Sequence, residues 1–156
     1  MPAENQVFNQ DILIAVDESE NAERAVSYVA RLLEGRAGFR VTILHIIQDP
    51  EEDYFPDPAE KVKWLDQYRA RMAQRVEVYR EILLAAGFAP ERVSVRTPTL
   101  SCPSLAECIL AERDEGKYAT IVVGRKGISR KERFLFGSVS SKIVNHAGNC
   151  TVWVVS

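Results

Sequence analysis

The sequence predicts an α/β fold, a doubly wound and largely parallel five-stranded sheet with helices on both faces. Three observations carry that expectation. Short apolar runs rich in β-branched residues recur along the chain, as in "DILIAV" and "RVTILHII", and suit strands buried on both sides. Between them lie longer stretches with apolar residues every three or four positions, the period of an amphipathic helix. The two kinds alternate, so each strand must reach the next by a crossover, which makes the sheet parallel and covers both its faces.

The elements follow in order. The first strand is Asp11–Val16. A first helix follows it, with Ser19 as N-cap, Ala22, Ala25, Val26, Val29 and Leu33 on one face, and Gly35 as its stop. Arg40–Ile47 is the second strand. The segment "QDPEEDYFPDP" is an acidic loop punctuated by proline, from Gln48 to Pro58. A long helix then runs from about Ala59 to Ala86, with Val62, Leu65, Met72, Val76, Tyr79 and Leu83 forming an apolar series broken by Arg69, and Gly87 ending it. Arg92–Thr97 is the third strand. In the third helix, Ser101–Gly116, Pro103 suits a first turn, while Ser104 and Glu107 have the spacing of a capping box. The two start signals compete. Tyr118–Gly124 is the fourth strand, Gly137 to about Ala147 the fourth helix, and Cys150–Val155 the fifth strand.

A chain of 156 residues suits one compact domain spanning 1–156. It shows no internal repeat, low-complexity tract or interdomain linker. The formal net charge of −2 gives no long-range pull toward nucleic acid or an anionic membrane. No apolar run reaches the ~20 residues of a membrane span, and "MPAENQVFNQ" lacks the basic and apolar parts of a signal peptide. Cys102, Cys108 and Cys150 form neither a C-x-x-C pair nor an even set, which reads as reduced thiols in a cytoplasmic protein.

The stretch "VVGRKGISRKERFLFGSVSSKIV" concentrates the functional signal. Gly124 closes the fourth strand at its carboxyl end, where a doubly wound sheet holds its ligand, and lacks a side chain that would keep a ligand off the backbone. Gly127 permits a tight turn with inward N–H groups. Gly137 and Ser138 open a helix whose first N–H groups favour phosphate, with the Ser138 and Ser140 hydroxyls as further donors. The spacing can bracket one triphosphate. Taken singly, each glycine reads equally as a turn or a cap.

With its G-x-x-G-x9-G-S pattern, the chain resembles the universal stress protein family. The resemblance extends over the opening "ILIAVDES", the "ILHI" strand and the "GRKG…FGSVSSKIVNHAGNCTVWVV" end. It implies an adenine nucleotide alpha hydrolase-like sheet with strand order 3-2-1-4-5, and the ATP-binding kind of member. It also implies a site. Asp17 would contact adenosine, with Ala15 and Val16 beside it, and the Ile46 backbone would meet adenine. Val123, Gly124, Lys126 and Gly127 would form the ribose and phosphate loop, and Gly137, Ser138, Val139 and Ser140 the phosphate-binding helix start. Family members often carry a glycine after the third strand, where this chain has "TLSCPS". Magnesium would arrive with ATP, held by phosphates and water, and no protein metal site is expected.

Simpler roles stand beside these. Asp17 suits a helix cap. Arg125, Lys126, Arg130, Lys131 and Arg133 suit a solvated face, although Lys126 is placed to neutralise phosphate. His45 reads as a satisfied core residue and Cys108 as packing. The expected function is nucleotide-dependent regulation in a stress response. The alternatives are a slow ATPase, for which no general base or Walker A pattern is visible, and a structural dimer with no nucleotide. The motifs of dinucleotide and adenylylating enzymes are missing after the first strand, which reads "VDESEN". In "TVWVV", Val152 and Val154 face one side and Trp153 and Val155 the other. If this strand from Thr151 onward is an edge, a second copy would cover it, as the resemblance also implies, giving a homodimer.

Overall fold

The computed structural model describes residues 9–34, 36–125 and 138–156. Its strands are β1 (Asp11–Ala15), β2 (Arg40–Leu44), β3 (Ile47–Gln48), β4 (Val93–Arg96), β5 (Thr99–Leu100), β6 (Thr120–Gly124) and β7 (Thr151–Val155). Its helices are α1 (Glu20–Leu32), α2 (Pro58–Ala85), α3 (Leu105–Gly116) and α4 (Ser138–His146). The main sheet has the order β4-β2-β1-β6-β7, every neighbouring pair being parallel. That is the expected 3-2-1-4-5 arrangement. The sequence signal for helix-linked crossovers therefore gave the right architecture.

The strand pleat divides the core into two. Ile12, Ile14, Ile43 and Val122 point to the side covered by α1 and α2, against Val26, Val29, Val76, Tyr79 and Leu83. Leu13, Leu44, Ile121 and Val123 point to the other side, against Ile109 of α3 and Ile143 of α4. Each central strand thus looks apolar throughout because both its faces are buried.

Local chemistry fixes the helix ends. Ser19 caps α1 by accepting from the Ala22 amide at 3.3 Å, and Asp57 caps α2 by accepting from the Ala59 amide at 3.0 Å. At the other end of α2, the Gly87 and Phe88 amides donate to Leu84 and Leu83 carbonyls at 3.0 and 3.2 Å. Gly87 has φ +97°, and the buried Phe88 seals the motif. The competition at α3 resolves in favour of the capping box. Ser104 accepts from the Glu107 amide at 3.3 Å, so Pro103 lies outside the helix.

Two details differ from the sequence reading. The second strand is broken after Leu44, and Ile47–Gln48 pairs instead with Thr99–Leu100 in a small parallel extension. The apolar series of α2 fails at its first member, because Val62 is 59% exposed. Arg69 is also turned outward and donates to the Thr99 hydroxyl at 2.9 Å. Gly35, the expected stop of α1, lies outside the described residues. The acidic loop folds back on α2 through Lys61–Asp49 at 3.1 Å and through rings in series. Tyr54, Phe55, Trp64 and Tyr68 follow one another at centroid separations of 5.0, 5.9 and 5.2 Å.

Candidate functional site

Strand order reverses beside β1, whose connection leads to β2 on one side while β6 lies on the other. The chain leaving β1 enters α1 on one face of the sheet while α4 lies on the other, and a cleft opens at the carboxyl ends of β1 and β6. The cleft has a volume of about 610 Å³, within the range of small-molecule sites.

Its floor is made by strand ends. Ala15, Val16 and Asp17 come from β1 and the turn after it, Ile46 from the break between β2 and β3, and Val123 and Gly124 from β6. Ser138, Val139 and Ser140 of α4 close one side. The structure therefore brings together nine of the residues expected from sequence. The remaining three, Lys126, Gly127 and Gly137, lie outside the described residues, as do Arg130, Lys131 and Arg133.

The turn after β1 is held firmly. The Asp17 carboxylate accepts from the Ser19 amide at 2.8 Å and also from the Ser19 hydroxyl, so it braces the residue that caps α1 rather than capping the helix itself. From α2, the Tyr79 hydroxyl donates to the Asp17 carbonyl at 3.0 Å. Arg75 donates to the Glu18 carbonyl at 2.7 Å and Arg71 to its carboxylate at 3.1 Å. Burial raises the Tyr79 phenol above its ordinary pKa. Tyr68 is raised as well, first by burial and then by the nearby negative charge of Glu18.

His45 lines the cleft and is buried. Its Nδ1 lies 2.9 Å from the Val16 carbonyl and its Nε2 3.1 Å from the Tyr68 hydroxyl. A carbonyl can only accept, so Nδ1 carries the proton and Nε2 accepts from Tyr68. Both ring nitrogens are engaged, as the core reading expected.

Gly124 has a packing reason of its own. A Cβ built there would lie 2.9 Å from Asn21 Cβ and 3.1 Å from the Asn21 backbone. The absent side chain admits the first turn of α1, so the glycine is required before any ligand is considered.

For the opposite wall the resemblance pointed only to the loop "TLSCPS", and none of its lining residues was among the expected site residues. Ser104, Leu105, Ala106 and Ile109 of α3 line the cleft, together with Lys142 of α4. Lys142 Nζ reaches the Ser104 hydroxyl at 3.1 Å and the Glu107 carboxylate at 3.3 Å, which ties α4 to α3 across the opening. The capping-box spacing located this helix start, but nothing local marked it as cleft lining.

The cysteine reading needs correction. Cys102 and Cys108 are paired as a disulfide, with Cα atoms 5.9 Å apart, while Cys150 is a free thiol. The turn through Pro103 and Ser104 carries Cys102 back onto the first turns of α3, a proximity that spacing alone did not reveal. Cys108 still packs in the core, as expected.

The universal stress protein family model matches residues 9–156. A relative in Staphylococcus epidermidis that carries the universal stress protein name is 31% identical over 146 residues, covering 94% of this chain and 83% of the relative. Among solved structures, universal stress protein UspA from Lactobacillus plantarum superposes with a TM-score of 0.76 at 20% identity, over 95% of this chain and 98% of that one. A universal stress protein in complex with cAMP gives 0.69 at 20% identity, over 95% and 97%. One from Archaeoglobus fulgidus in complex with dAMP gives 0.60 at 21%, over 94% and 98%. These likenesses extend the agreement in strand order to the whole described fold, and with the family match they settle the affiliation: this chain belongs to the universal stress protein family.

Proposed function

We propose that the cleft binds an adenine nucleotide, ATP in particular, and that the protein is a nucleotide-dependent regulator in a stress response. The observation that carries the reading is the meeting, at the strand-order reversal, of an apolar floor with the first described turn of α4. Ile46, Val123 and Ala15 offer a surface for a purine. The positive end of the α4 peptide dipole offers an environment for phosphate. Asp17, fixed by Ser19 and Tyr79, lines the cleft and would contact the ribose. Lys126, Gly127 and Gly137 would complete the phosphate end, with magnesium carried on the phosphates. The cAMP and dAMP complexes of the two related structures support an adenine ligand.

The same reading takes residues 1–156 as one functional domain in the cytoplasm. It also takes the protein as a homodimer through β7. This strand lies at the edge of the sheet and its Val154 is 42% exposed, so Thr151, Val152, Trp153, Val154 and Val155 present a strand for a second copy.

The test is direct. Purified protein is denatured, and the released small molecules are identified by chromatography. Thermal unfolding is then followed with added ATP, ADP and AMP, because a ligand that binds only the folded state raises the midpoint. ATP is expected to give the largest rise. Ala15→Phe, which fills the floor of the cleft, is expected to abolish it. A midpoint unmoved by every nucleotide in the native protein would overturn the reading.

A further inference from the structure

We propose that Cys102 and Cys108 form a reversible thiol–disulfide site that sets the rigidity of the cleft wall. The consequence for ligand affinity rests on the nucleotide reading above, whereas the redox site does not.

The two cysteines are six positions apart and share a disulfide contact. Their Cα separation of 5.9 Å lies within the usual range for a bridge. Between them lie Ser104, Leu105 and Ala106, all part of the cleft wall. The bridge therefore closes a ring around the wall itself and ties the turn before α3 to the helix. Cys102 is half-buried and Cys108 buried, so Cys102 is the sulfur an incoming oxidant meets first.

The oxidant we assign is a low-molecular-weight disulfide such as oxidised glutathione. The Cys102 thiolate attacks one of its sulfurs, forming a mixed disulfide and releasing one glutathione thiolate. The Cys108 thiolate then attacks the Cys102 sulfur, closing the bridge and releasing the second. Two protein thiols are oxidised, one glutathione disulfide is reduced to two thiols, and the two protons pass to the released thiolates. Excess reduced glutathione runs the exchange backward.

Opening the bridge removes the covalent tie on the turn at Cys102–Pro103 and leaves side-chain packing, the Ser104 cap and the Lys142 contacts to Ser104 and Glu107. The wall then samples more conformations, and a ligand must order it on binding. The closed form is preorganised and binds more tightly.

The test equilibrates the full chain in buffers rich in either oxidised or reduced glutathione. Trypsin cleavage after Arg96 and Arg113 leaves both cysteines in one peptide. In the oxidised sample that peptide is expected to be lighter by two hydrogens and to resist alkylation, while Cys150 forms no internal link. Amide exchange over residues 104–109 in nucleotide-free protein is expected to be slower in the oxidised form. ATP is expected to bind it about three- to tenfold more tightly, a difference lost in Cys102→Ser and in Cys108→Ala. A peptide that still takes two alkyl groups after oxidation overturns the proposal, and so does a bridge that leaves exchange unchanged. If bridge and exchange respond but neither form binds ATP, the redox site stands and the nucleotide reading fails.

Discussion

His45 Nδ1 lies 2.9 Å from the Val16 carbonyl oxygen, on the chain that leaves β1. One hydrogen bond thus joins the ends of the two central strands at the floor of the cleft and fixes the imidazole tautomer. The Tyr68 hydroxyl must then be the donor to Nε2. Tyr68→Phe keeps the ring stacked on Trp64, 5.2 Å away, but leaves Nε2 without that donor. A stability loss of about 1 kcal/mol is expected from chemical denaturation. Nitrogen NMR of the native protein should show the proton on Nδ1; a proton on Nε2 would refute the assignment.

Alkaline pH provides a second prediction. Burial raises both Tyr68 and Tyr79 above the ordinary phenol value. The folded state therefore holds these protons after the unfolded chain has released them. Above the unfolded value of about 10, the unfolded chain binds fewer protons, so stability falls as pH rises through the folded values. Below pH 10 the contribution is fully present. Denaturation midpoints between pH 9 and pH 11.5 should decline, and the decline should be shallower in the Tyr68→Phe, Tyr79→Phe double variant.

Gly124→Ala tests whether the glycine serves packing or only a ligand. Its new Cβ would meet Asn21 at 2.9 Å and the Asn21 backbone at 3.1 Å. Backbone cannot swing away as a flexible side chain does. The variant is expected to lose about 1–3 kcal/mol in ligand-free protein. An unchanged urea midpoint would show that α1 yields freely there.

The edge strand gives a fourth prediction. Wild-type protein at micromolar concentration is expected to sediment at twice the chain mass. Val154→Lys, which places a charge on the exposed face of β7, is expected to sediment as a single chain with its thermal midpoint little changed. A wild-type monomer would remove β7 as the pairing strand.

The sequence made the fold legible because continuous apolar runs marked the central strands and a 3.6-residue period marked α1. It was less informative where tertiary contacts decide. Two-residue strands such as Ile47–Gln48 have no period to detect, so the small β3–β5 pair went unseen. Val62 fits the spacing of its helix but is exposed, because no neighbouring element among the described residues covers it. On the cleft, Gly124 was legible as a glycine ending a strand, whereas Ala15, Val16, Asp17, Ile46 and Val123 came from the family resemblance. Leu105, Ala106 and Lys142 were not legible, because ordinary helix residues become a wall only once α3 and α4 are packed side by side.

The Arg125 amide, at the rim of the cleft, donates to the Val155 carbonyl at 2.7 Å. Whatever slides the outermost strand along its axis therefore tugs the lip of the cavity through this bond and through the β6–β7 ladder that ends at Gly124 and Val155. A second copy on β7 and a nucleotide in the cleft, both proposed above, would share a mechanical joint, placed where the sheet ends at Arg125.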